Sequence, residues 1–472
     1  MEQQRKQNSA VPVALAASTA AMLLAMPQLQ AQSVDALLDK LVDKGILTVR
    51  EANELKAESD KNFTTAYQAK SGVPDWVTAL KLNGDLRGRY EGFFADNSAF
   101  ADRNRFRYRL RAGFTVSMLN DFEVGFRLGS GDLDSANKIT SGTDPISNNQ
   151  TFQNNASKKG VFLDLAYMKW SPIHGSHWAG AFTIGKMENP FVVSDLLFDA
   201  DYTPEGAAQQ FSYQLTPKHA LKLSIGEFVL DELGASSSDP WLLGAQMRLE
   251  SAWNTKWLGS LGATILSIQN VTQLASSAVP DINAGNTRHA TRGTDGRTYA
   301  LGAPVYPFNP FVLDASVTHL LESAPLYDGA FPIRVFGEYI NNPAATESDN
   351  EGWQVGIALG KTGKRKTWEL AYRYKYLGGD AWWEELVDSD SGAFYQNAGP
   401  ASPAPPAPTL RAPGTGYGAG TNIRGHVVRA GCSPFDHVTL TLTWFGLELI
   451  QPYQPGSDSF MNRVQGDLSV KF

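Results

Sequence analysis

From Val77 to Phe472 apolar and polar residues tend to change places at every step. A period of two is the signature of an extended strand, whose successive side chains point to opposite faces. Trp368, Leu370, Tyr372, Tyr374 and Tyr376 are set against Thr367, Glu369, Arg373 and Lys375. Val438, Leu440, Leu442 and Trp444 are set against Thr439, Thr441 and Thr443, and Trp353, Val355, Ile357 and Leu359 against Gln354, Gly356 and Ala358. The pattern predicts sixteen strands, near 77–90, 104–118, 121–130, 161–170, 180–187, 206–215, 220–230, 241–253, 257–269, 312–322, 332–341, 351–361, 367–377, 424–432, 437–449 and 461–472. Several approach the roughly 9–11 residues with which a tilted strand crosses a bilayer. Alternation blurs at 161–170, 312–322 and 424–432, which leaves their register open.

The spacing between strands orders them. Connections after odd-numbered strands run to about 13, 30, 18, 10, 42, 9, 46 and 11 residues, and those after even-numbered strands to about 2, 9, 4, 3, 11, 5 and 4. Long loops on one side and tight turns on the other predict an all-β fold, a sixteen-stranded antiparallel transmembrane β-barrel. A soluble sandwich would not sort its connections this way. In the last strand Val464, Gly466, Leu468, Val470 and Phe472 share a face, and the chain closes on an aromatic residue. Tyr90, Trp170, Trp178, Trp241, Trp257, Trp353, Tyr376 and Trp444 fall near strand ends, where membrane-interface girdles lie.

The amino-terminal part is different. Arg5 and Lys6 precede an apolar run from Val11 to Met26, which predicts an export signal over 1–31 with cleavage after Ala31. Residues 32–75 form a short helical segment in this reading. Val34, Leu37, Leu38, Leu41 and Val42 have helical spacing behind Ser33, and Thr48 and Glu51 form a capping box. Residues 76–472 then constitute the barrel. No later stretch approaches the run of about 18 apolar residues that a membrane helix needs.

Five arginines stand in single file at Arg103, Arg105, Arg107, Arg109 and Arg111, behind Phe106, Tyr108, Leu110, Ala112 and Phe114. Neighbours two apart on a strand sit roughly 7 Å from each other. Each pair then repels by about 0.6 kcal/mol in water and by about 2.4 kcal/mol at an effective dielectric near 20. That face needs water, carboxylates or anionic cargo, while the opposite face suits lipid. Arg87 and Arg89 on the first strand and Arg127 on the third share the same inward phase, so Arg87, Arg89, Arg105, Arg107, Arg109, Arg111 and Arg127 form one basic wall. The chain as a whole is acidic, at −7, which argues against a nucleic-acid partner. A single cysteine, Cys432, excludes an internal disulfide framework.

RNRFRYRLRAGF, DFEVGFRLGSGD, and GKMENPF followed by DLLFDADYTPEG together resemble the putative-porin family of Gram-negative outer membranes. LLDKLVDKGILTVREANEL is similar to the amino-terminal segment of these proteins and of phosphate-selective porins. The resemblance implies a channel in the outer membrane, often trimeric, with no enzymatic activity. It also implies partners: outer-membrane lipid and the barrel-assembly machinery, which would read the terminal Phe472. Loops 270–311 and 378–423 match no pattern of the family. In sixteen-stranded porins the third loop folds inward. Here that loop and its border carry Glu188, Asp195, Asp199, Asp201 and Glu205, and facing the arginines these acids would create a field across a constriction.

Other signals point elsewhere or nowhere. Trp382 and Trp383 could stack a sugar or simply pack a loop, and His174 with His177 lacks a third metal ligand. The seven histidines are scattered without catalytic partners, so neither enzyme, metal nor cofactor is predicted. The sequence is therefore read as a passive diffusion channel for small hydrophilic solutes, anion-leaning and homotrimeric. The alternatives are an outer-membrane adhesin or structural anchor built on the same barrel, a sugar-selective channel, lumen arginines that only balance scaffold charge, or, given the negative net charge, a cation-preferring or weakly selective pore.

Overall fold

The computed structural model describes residues 74–132, 146–275, 283–292, 298–346, 348–395, 409–411, 416–452 and 458–472. The expected signal and helical segment lie outside the described residues. Sixteen strands form the wall: β1 Val77–Ala95, β2 Arg103–Met118, β3 Phe122–Gly131, β4 Gly160–His174, β5 Trp178–Lys186, β6 Glu205–Thr216, β7 His219–Val229 and β8 Trp241–Ala252. The second half comprises β9 Trp257–Gln269, β10 Phe311–Leu321, β11 Phe331–Asn341, β12 Glu351–Gly360, β13 Thr367–Leu377, β14 Ile423–Phe435, β15 Val438–Leu449 and β16 Met461–Lys471. Each strand pairs antiparallel with its sequence neighbours, and β1 pairs with β16 from Asp85 opposite Lys471 to Ala95 opposite Met461. The sheet is closed and has no free edge, as a bilayer requires.

Alternation sets the two faces. Leu82, Leu86, Phe106, Leu110 and Phe114 are exposed on the outside, whereas Arg89, Arg107 and Arg109 on the same two strands are buried. Aromatic pairs mark both rims. Phe122 stacks on Trp170 at 5.8 Å beside the short turns, and Trp353 on Tyr376 at 6.0 Å beside the long connections.

The three strands with blurred alternation have identifiable causes. In β4 the register against β3 shifts between Arg127 and Leu128, so that Asp164 and Leu165 are both buried. Val161 and Leu163 face outward before this bulge, and Met168 and Trp170 after it. One extra residue has inverted the phase. In β10 and β14 the inward positions Val312, Ile423 and Val427 are apolar because they pack against connections folded inside the barrel.

Long and short connections segregate as expected. The turns 175–177, 217–218, 253–256 and 436–437 lie at one end, and 132–159, 187–204, 270–310 and 378–422 leave from the other. Parts of the last two fold into small sheets of their own, Asn283–Ala284 with Gly416–Gly420 and Gly392–Tyr395, and Thr287–Arg292 with Thr298–Pro304 and Thr409–Arg411. They interlock through Asn286, whose Nδ2 donates to the carbonyls of Gly379 (2.7 Å) and Trp382 (2.8 Å).

Candidate functional site

Strand register assembles the charged wall. Asp85, Arg87, Arg89 and Glu91 of β1 stand directly opposite Arg111, Arg109, Arg107 and Arg105 of β2. Carboxylates therefore bracket the block at both ends, and the middle is guanidinium facing guanidinium. Such a cluster is tolerable only if other elements bring in acceptors. Arg89 donates to Asp467 of β16 at 2.7 and 2.9 Å and to Asp390 at 3.0 Å. Arg105 is bonded to Glu91, and Arg107 reaches the Asn149 carbonyl at 3.2 Å. Asp85 accepts from Arg109 Nε (3.0 Å) and Arg111 Nε (2.6 Å). Arg127 is paired with Asp164 and, at 2.9 Å, with Glu188. Arg87 differs from the rest. Its Nη2 donates to Asn149 Oδ1 at 2.6 Å, and it has no carboxylate partner among the described residues.

Connection 187–204 starts at β5 and ends at β6, yet its residues reach strands all round the wall. The Val192 carbonyl accepts from Gln246 Nε2 (2.9 Å) and Arg248 Nη2 (2.8 Å) on β8. Ser194 is bonded to Glu338 on β11, and Asp195 accepts from Lys375 Nζ of β13 at 2.9 Å. Asp201 Oδ1 and Oδ2 accept from Arg109 Nη1 at 2.8 and 2.9 Å, and Oδ1 from Arg111 Nη1 at 3.0 Å. Between these anchors Leu196, Leu197 and Phe198 are fully buried. They form one apolar cluster with Trp382, Trp383, Leu386 and Phe308, with Phe198 meeting Trp382 edge-on at 5.9 Å.

The two connections share a cluster of acids. Asp199 donates its N–H to the Leu386 carbonyl (2.7 Å), and its Oδ2 accepts from the N–H and the hydroxyl of Ser389, both at 2.9 Å. Burial, with Asp201 and Asp388 nearby, pushes the Asp199 carboxyl up to about 8. Asp388 is also raised, first by burial, then by Asp195 and Asp390. Burial acts on Asp195 and Asp201 in the same direction, but their basic partners outweigh it. Arg373 and Lys375 bring Asp195 down to about 2, and Arg109 and Arg111 hold Asp201 below the usual carboxylate range. Arg463 and Arg89 hold Asp390 far below that range against the pull of burial.

A cavity of about 700 Å³ lies between wall and connections. Of the predicted wall it is lined by Arg87, Arg89, Arg109 and Arg111, and of the predicted acids by Asp195, Asp199 and Asp201. A second cavity of about 340 Å³ is bordered by Arg111, Arg127 and Glu188. Arg105 and Arg107 line neither, and Glu205 is exposed beside Lys186 (3.0 Å). Phe472 lies across Gly84, exchanging backbone hydrogen bonds of 2.8 and 3.1 Å with it. Sequence reading missed Arg248, Arg334, Asp388 and Asp390. Arg373 and Lys375 were visible as the polar half of a clean strand, though nothing local tied them to Asp195. Trp382 and Trp383 are buried at 0% and 2% exposure, so neither ring faces a passing solute.

Residues 95–300 match the family model described as putative porin. Over that stretch the chain is similar to the putative-porin family. Its place is the outer membrane, and its fold is that of a channel. The porin is similar in fold to Pseudomonas putida OprB in its high-pH structure, with a TM-score of 0.50 at 11% identity over 88% of this chain and 97% of that one. Weaker likenesses are to Salmonella typhi OmpF in complex with daunomycin (TM-score 0.43, 9% identity, 83% and 97% covered) and to a loop L8 deletion mutant of Vibrio cholerae OmpT (0.42, 8%, 84% and 99%). No curated protein sequence matches the chain.

Proposed function

We propose that this porin gives passive diffusion to small hydrophilic solutes, that connection 187–204 narrows its path, and that the path prefers anions. The observation that carries this reading is the charge balance of the 700 Å³ cavity. Nine basic side chains and eight carboxylates line it. Asp199, near 8, holds its proton at neutral pH and removes one of the eight. Arg87 and Arg334, meanwhile, have no carboxylate within ion-pair distance among the described residues. A surplus of fixed positive charge inside a low-dielectric wall concentrates anions and speeds their entry. Acid at one side and base at the other also orients dipolar solutes.

Planar-bilayer recording across a KCl gradient tests this. The zero-current potential is expected to carry the sign of chloride preference, most clearly at low ionic strength where screening is weak. Equal permeability, or a cation-signed potential, would overturn the anion preference, and an absence of conductance would overturn the channel. The assembly proposed is the homotrimer implied by the family resemblance, and chemical cross-linking in outer membranes reads it directly.

A further inference from the structure

Arg87 is set apart from the guanidinium groups around it. Arg109, directly across the β1–β2 pair, is neutralised by Asp85 and Asp201, and Arg89, two residues along, by Asp467 and Asp390. Arg87 has only the neutral oxygen of Asn149, and its Nε is buried without an acceptor. A guanidinium carries five N–H donors in a rigid fork. A residue present only to stitch the wall would be paired as its neighbours are. Arg87 instead borders the 700 Å³ cavity with no carboxylate within ion-pair distance among the described residues.

We infer that Arg87 is a docking point for a small monocarboxylate solute, whose two oxygens meet the guanidinium fork beside the Asn149 carboxamide. This rests on the anion-preferring reading above and names the class of solute. A planar carboxylate matches the fork with two parallel hydrogen bonds, which chloride cannot do. Arg87 itself offers one cation without a carboxylate partner, which calls for a monoanion. Asp201 and Asp467 stand close enough to act on Arg87 electrostatically, so a second negative charge on the solute would face them. The cavity is of the size that holds a small organic acid.

The test is single-channel recording in KCl with added benzoate or inorganic phosphate as the probe. Benzoate is expected to reduce the chloride current of the wild-type porin saturably, and at lower concentration than phosphate. Arg87→Gln should raise the half-blocking concentration about tenfold, and Arg87→Lys, which keeps the charge without the fork, should fall between. A linear, non-saturating effect of benzoate, an unchanged half-blocking concentration in Arg87→Gln, or stronger block by phosphate would each overturn the site. If Arg87→Gln does not insert, the wild-type comparison of benzoate with phosphate decides alone. The zero-current potential of the same channels separates the two readings. A channel without anion preference refutes the proposed function, whereas an anion-preferring channel without saturable benzoate block refutes this site only.

Discussion

Asp201→Asn changes the electrostatics of the constriction with little change of shape. Asp201 receives three hydrogen bonds from Arg109 and Arg111 at 2.8, 2.9 and 3.0 Å, and both arginines keep Asp85. Hydrogen bonds to a charged group are worth about 1.5–3 kcal/mol and neutral ones about 1 kcal/mol. The carboxamide also turns an N–H₂ toward a guanidinium. Summed over three bonds the loss approaches about 3 kcal/mol, and partial solvent access at 11–17% exposure trims it to about 2 kcal/mol. At 1.4 kcal/mol per decade, the population with connection 187–204 detached from β2 rises about 30-fold. The wall also gains one net positive charge. Single-channel recording should show more frequent excursions to a larger conductance, and the zero-current potential should move further toward chloride. Unchanged current noise together with an unchanged potential would refute the reasoning, because it would mean that Asp201 neither holds the connection nor faces the permeating ion.

Asp199 has its carboxyl raised from 3.8 to about 8, so the folded state binds a proton that the unfolded chain has released. Stability should therefore fall as pH rises from about 4 to about 8 and level off above, and anion preference should decline between pH 7 and 9 as the group ionises. Asp199→Asn should abolish that step in the zero-current potential, and a step that persists in the variant would assign it elsewhere. Trp382→Ala deletes a fully buried ring packed on Phe198 and Phe308, at an expected cost of about 3–5 kcal/mol to the packed connections. Thermal melting in detergent followed by near-ultraviolet circular dichroism should fall accordingly, and an unchanged melt would mean the cluster is not cooperative. Phe472→Ala removes the ring lying against Gly84 and should lower the yield of folded barrel in outer membranes, read by the heat-modifiable gel shift. Equal yield would show that the terminal ring is dispensable.

The sequence by itself determined the wall. Period-two patterning is a local property, since each residue's face follows from its neighbour's, and it was enough to count sixteen strands, sort the connections and turn Arg87, Arg109 and Arg127 inward. Where it blurred, the cause lay outside the strand: a bulge at Asp164 in β4, and connections packed on Val312, Ile423 and Val427 in β10 and β14. The tertiary structure decided the partners. Arg89 meets Asp467 across a separation of 378 residues, and Asp195 meets Lys375 across 180, because the barrel closes and a connection crosses it. No periodicity encodes the path of such a connection, so the burial of Trp382 and Trp383, the protonated state of Asp199 and the isolation of Arg87 beside Asn149 were all settled in three dimensions. An ion pair depends on where two distant backbones meet, and alternation fixes only the side of the sheet each one faces.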